Sequence, residues 1–211
     1  MNQFRISDAV DIERFDEIVG GLRAFLDRLC TYRFDGYKIE DIQTFCESLV
    51  AGQSGEIRDG GVLLAPGSWC VSPSIANMPS DARIDYIFVP TYFAVSILVR
   101  IKTCFPQIAN DISRLDDSLK AGLDFASLRT FKGHGYDAMT GLFEAADILH
   151  TGGVFEFVKD NPDFSPAFSS AVSKTKNDLE ARLTSGDVKD GFNQRDVSNG
   201  MQRVLRQIAG E

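Results

Sequence analysis

Apolar residues along most of this chain recur at intervals of three and four, the spacing that lines up one face of an α-helix. Phe15, Ile18, Val19, Leu22, Phe25, Leu26 and Leu29 form the first stripe, with Asp16, Glu17, Arg23, Asp27 and Arg28 on the opposite face. Ser7 is placed to cap this helix. Gly20 and Gly21 interrupt it at a cost of about 1 kcal/mol each relative to alanine, which points to a close helix contact or a kink. Asp35-Gly36 marks a turn, after which Ile39, Ile42, Phe45, Cys46, Leu49 and Val50 predict a second helix.

The pattern then changes. Between Gly52 and Pro79, glycines and prolines forbid a helix, and Glu56–Arg58 with Val62–Leu64 predict a small hairpin around Asp59-Gly60. A loop of this length in a compact domain points to function or to a hidden element. The stretch from Ile84 to Phe105 is the most apolar of the chain. Pro90 is expected to start or kink a helix through Tyr92, Phe93, Val95, Ile97, Leu98 and Ile101, ending before Pro106. Apolar residues occupy nearly every face, so this is the expected central helix, with Arg100 either at its wet end, the preferred reading, or paired.

Ile108, Ile112, Leu115 and Leu119 predict one further helix, with Leu123–Leu128 continuing it or forming a separate turn. Met139, Leu142, Phe143, Ala146 and Leu149 predict another, ended by Thr151-Gly152-Gly153. A short helix is expected over Val154–Val158. Ser165-Pro166 reads as cap and first residue of a surface helix through Phe168, Val172, Leu179 and Leu183. Val197, Met201, Val204, Leu205 and Ile208 predict the last. The fold class is therefore all-α: a single domain over residues 1–211, with about seven or eight helices in antiparallel hairpins and a possible β-hairpin within 52–79.

Composition agrees with a globular chain of 211 residues, 44% hydrophobic and 25% charged. Thirty acidic residues against 22 basic ones give a net charge of −8, and no third of the chain is basic. That balance speaks against nucleic acid as a partner. Within the most apolar stretch the uncharged run, Tyr86–Val99, is shorter than the roughly 20 residues that span a membrane. With no signal-like N-terminus and no glycosylation sequon, the expected location is cytoplasmic. Cys30, Cys46, Cys70 and Cys104 form no C-x-x-C pair and read as reduced, mostly buried thiols.

Candidate chemistry concentrates at Gly133-His134-Gly135-Tyr136-Asp137. His134 is suited to act as a general acid or base, with Tyr136 and Asp137 as hydrogen-bonding partners. Asp137 also suits a helix cap, which makes the loop equally a structural hinge. His150 sits at a helix end, where positive charge is favoured. Trp69 reads either as a plug pinning the long loop or, with Arg100, as a ligand or partner contact. Residues 187–196 look faintly like a calcium loop, but Lys189 and Gly191 occupy ligand positions and no glutamate closes it. No metal site and no cofactor is expected, since H-E-x-x-H, the Walker A loop, G-x-G-x-x-G and G-x-S-x-G are all missing.

The order Pro90-Thr91-Tyr92, Gly122-Leu123-Asp124-Phe125-Ala126 and Gly133–Asp137 is loosely similar to helix–loop–helix turns of α/α-toroid proteins, among them carbohydrate-active enzymes and terpenoid-cyclase-like folds. The resemblance implies helical hairpins, and the chain is too short for a full six-hairpin toroid. Two functional classes follow. One is a helical protein acting through contact with a protein partner or a second copy of itself. The other is a small hydrolase- or lyase-like enzyme, or a small-molecule binder, with its pocket between the His134 loop and Trp69.

Overall fold

The structure, a computed structural model, describes residues 12–33, 38–53, 57–59, 62–64, 67–69, 80–127, 136–186 and 194–211. Within these residues the chain is helical apart from one short hairpin. The elements are α1 (Ile12–Thr31), α2 (Ile39–Ala51), β1 (Ile57–Asp59), β2 (Val62–Leu64), α3 (Ser80–Cys104), α4 (Pro106–Ala109), α5 (Leu115–Ser127), α6 (Tyr136–Thr151), α7 (Val154–Asp160), α8 (Pro166–Ser185) and α9 (Gln194–Ala209). The strands β1 and β2 pair antiparallel with Asp59 opposite Val62, one residue further along than the predicted first strand. None of these helices is long and apolar enough to cross a membrane.

The central helix is α3. Every residue from Phe88 to Val99 is buried, so the helix is enclosed on all sides as its uninterrupted apolarity demands. It starts well before Pro90. The proline lies inside the helix, where it withholds one N–H from the ladder, and does not open it. The helices α1, α5 and α6 pack along α3, while α8 and α9 close over α5 and α6. Aromatic pairs tie the layers together: Phe25 stacks on Phe45 at 4.0 Å between α1 and α2, and Phe88 on Phe125 at 5.0 Å between α3 and α5.

Small residues set how closely the helices approach. A Cβ placed on Gly152 would lie 2.3 Å from the Ser96 Cβ, and Ser96 donates its hydroxyl to Ile148 O at 3.1 Å. Gly200 accommodates the ring of Phe143 in the same way, which seats α9 on α6. Gly67 combines a φ of +107° with a Cβ position 2.2 Å from Ala121 O, so only glycine fits there.

Several expectations are corrected. The stripe from Ile108 to Leu119 is two helices, because Arg114 adopts a left-handed φ of 64° between α4 and α5. Its apolar residues still bury, but from two directions. Gly20 and Gly21 are exposed with no atom within 4 Å of an added Cβ, so no close contact accounts for them. Ser165 does cap α8, its Oγ accepting from Phe168 N at 3.3 Å. The proposed cap Ser7 and residues 187–193 of the stretch that faintly resembles a calcium loop lie outside the described residues.

Opposite outcomes are expected for two glycine-to-alanine changes. Gly21→Ala adds helix propensity without meeting any neighbour, and stabilises by about 0.5–1 kcal/mol. Gly152→Ala forces α3 and α6 apart and destabilises by about 1–3 kcal/mol. Urea denaturation followed by circular dichroism checks both. A destabilised Gly21→Ala would show that α1 has a close neighbour at that face.

Candidate functional site

Of the residues expected to carry chemistry, His134 lies outside the described residues. Tyr136 and Asp137 open α6, and only their backbone is described. Trp69 is 1% exposed and therefore a core residue, in line with the plug reading and not with the contact reading. Its backbone N–H donates to Thr91 Oγ1 at 3.0 Å and its indole N–H to Leu49 O at 2.7 Å, while its ring lies against Gly122. Both polar groups are satisfied and the ring is enclosed by α2, α3 and α5, which leaves no face for a ligand. His150 does stand in the last turn of α6, with Nδ1 3.8 Å from Glu156 Oε1.

Arg100 is paired, the second of the two readings of its place near the end of α3. It is half-buried, and its Nε and Nη2 donate to the carbonyl oxygen of Thr151 at 3.3 and 2.8 Å. That carbonyl ends α6, where unpaired acceptors and the negative end of the helix dipole attract a cation. The guanidinium lies over Gly153, whose missing side chain and left-handed φ of 71° leave room for it. Cys30, from the last turn of α1, donates its thiol to the same oxygen at 3.3 Å. One carbonyl thereby joins α1, α3 and α6.

Cys104 completes the corner. It ends α3 one turn beyond Arg100, on the same helical face. Burial raises its thiol pKa, but hydrogen bonds from Thr103, Tyr32 and Arg100, together with the positive charge of Arg100, outweigh burial and bring it below the ordinary thiol value. Thr103 has one hydroxyl proton, and Val99 O lies 2.9 Å from that oxygen against 3.5 Å for the Cys104 sulfur. Tyr32 and Arg100 therefore supply most of the support. They act against the dipole of α3, whose C-terminal end disfavours an anion.

Tyr32 reaches the sulfur because of its backbone. It follows α1 with a left-handed φ of 52°, and Arg33 N donates back to Arg28 O at 3.3 Å. This is the helix-ending geometry that glycine usually provides, and a bulky side chain there is strained. The ring packs on Phe105 with centroids 5.9 Å apart and stays 64% exposed. Hydrogen bonding to Cys104 raises the phenol pKa, as expected when the protonated hydroxyl is the donor.

Cys30 differs from its neighbour. Burial raises its pKa, with Arg100 opposing. Cys46 is fully buried in α2 and burial pushes its thiol up to about 12. The corner thus sets a partly exposed thiol with a lowered pKa beside a second with a raised one, which makes Cys104 the candidate nucleophile of the two. No group of three or more metal-ligating side chains occurs among the described residues. The cysteines are expected from the sequence to be reduced and mostly buried; Cys46 is buried, while Cys30 and Cys104 are free and partly buried. The one legible signal for a distinct environment at Cys104 is its spacing of one helical turn from Arg100.

Alkylation by iodoacetamide near neutral pH is expected to modify Cys104 first, then Cys30, with Cys46 protected. The thiolate is the reacting form, so a lowered pKa brings Cys104 to full reactivity at lower pH than Cys30, whose pKa is raised. Tyr32→Gly relieves the left-handed strain, and is expected to retain thermal stability while slowing Cys104 alkylation at neutral pH. Peptide mapping by mass spectrometry reads both effects; equal rates at Cys30 and Cys104 would sink the assignment.

No known family model matches the chain, and no curated protein or solved structure matches it either, so the α/α-toroid likeness rests on its short motifs alone.

Proposed function

We propose that this protein acts through protein–protein contact, that its partner is a second copy of this chain, and that the connection between α1 and α2 carries the contact. The observation behind this reading is exposure. Tyr32 at 64% and Ile39 at 58% are the large hydrophobic side chains left open among the described residues, and they flank the same connection. Scattered exposed apolar residues need no explanation, but the two found among the described residues lie seven positions apart in the chain and one is held by strained backbone.

Charge supports a self-complementary contact. Arg33 and Lys38 are exposed beside Glu40 and Asp41, so both signs flank the apolar pair. A two-fold axis through such a patch sets each sign against its opposite, as an isologous interface requires. The net charge of −8 gives no support to nucleic acid as the partner. The enzymatic alternative, with a pocket between the His134 loop and Trp69, loses one wall because the indole is enclosed.

Sedimentation velocity over a range of concentrations is the test. The chain is expected to self-associate with rising concentration. The double variant Tyr32→Asn, Ile39→Gln is expected to remain monomeric with an unchanged helical circular dichroism spectrum, since asparagine tolerates the left-handed backbone at position 32. A parent chain that stays monomeric throughout, or a variant that associates as well as the parent, overturns the reading.

A further inference from the structure

We propose that Cys30 and Cys104 form a reversible dithiol–disulfide pair, in which Cys104 is oxidised by a hydroperoxide and Cys30 resolves the product. The proposal is independent of self-association, since it needs only one copy of the chain.

Placement carries it. The two thiols come from different helices, α1 and α3, and both stand beside Arg100: Cys30 shares the Thr151 carbonyl with its guanidinium, and Cys104 lies one helical turn beyond it on the same face of α3. A disulfide between them requires Cα atoms roughly 4.4–6.8 Å apart. Cys104 is the last residue of α3 and Cys30 lies in the last turn of α1, positions where backbone yields most easily. Both are partly exposed, unlike Cys46. The roles divide by environment: Cys104 has the donors that hold a thiolate, and Cys30 keeps its proton on Thr151 O.

The chemistry balances in two steps. The Cys104 thiolate attacks one peroxide oxygen; the O–O bond breaks, a sulfenic acid forms, and the other oxygen leaves as hydroxide or alkoxide and takes up a proton. Cys30 then loses its proton and attacks the Cys104 sulfur. The S–O bond breaks, hydroxide leaves with that proton as water, and the disulfide is made. Each cycle consumes one peroxide and oxidises two thiols; a low-molecular-weight thiol returns the pair to the reduced form by exchange. Arg100 is a positioning residue here. It keeps both sulfurs on one cation, and the Thr151 carbonyl keeps Arg100 in place.

The experiment uses the full-length reduced chain treated with stoichiometric hydrogen peroxide, blocked with N-ethylmaleimide, and mapped without reduction. A Cys30–Cys104 linked peptide is expected, reversed by glutathione. Cys30→Ser is expected to stop at a sulfenic acid on Cys104 that dimedone captures, and Cys104→Ser to leave Cys30 unoxidised. Arg100→Met is expected to slow peroxide consumption several-fold, and circular dichroism separates that from unfolding. Linkage of Cys104 to Cys70 or to another chain overturns the proposal, as does over-oxidation of Cys104 with Cys30 still free. Equal oxidation of Cys30 in Cys104→Ser overturns the assigned order.

Discussion

The arrangement of this protein depends on enclosing α3. A helix buried on every face from Phe88 to Val99 has no polar side of its own, so its neighbours must supply a complete apolar sleeve. The helices α1, α5 and α6 provide most of it, α4 and α7 also touch α3, and α8 and α9 cover α5 and α6. Close approach is possible because Gly152 meets Ser96, and because Trp69 fills the junction of α2, α3 and α5 against Gly122. A core packed this tightly tolerates little change in volume at those points.

The same enclosure creates the corner. Once α3 is sheathed, its C-terminal end and those of α1 and α6 converge, and helix ends carry acceptors without internal partners. The Thr151 carbonyl is one such acceptor. It draws Arg100 and Cys30 together, and Arg100 in turn supports Cys104. A structural need, satisfying one helix end, leaves a cation beside a nucleophile. Tyr32 is the element that need does not explain. Glycine would end α1 with less strain, so the tyrosine at a φ of 52° is where conformational ease has been given up for a hydroxyl at the sulfur and an exposed ring.

Much of the fold was legible along the chain. Three-and-four spacing located the helices, Ser165-Pro166 marked the start of α8, and the all-apolar stretch identified α3 as central. The misreadings share a cause. Ile108 to Leu119 keeps helical spacing across the break at Arg114, because two short helices can bury one continuous stripe. Pro90 reads as the start of a helix or a kink within one, and it does not start α3, because burial on all sides sustains a helix through a missing hydrogen bond. Gly20 and Gly21 suggested contact because propensity records a cost without showing whether anything compensates it.

Local pattern determined the element types, the identity of the buried helix and the excess of acidic surface, because each depends on residues near one another in the chain. The candidate site was decided by tertiary structure. Cys30, Tyr32, Arg100, Cys104 and Thr151 come from three helices, and the interactions among them depend on helix ends meeting in space. Only the spacing between Arg100 and Cys104 was visible beforehand. A thiol's reactivity is set by its burial and by the charges and donors within a few ångströms, and residue order does not record these.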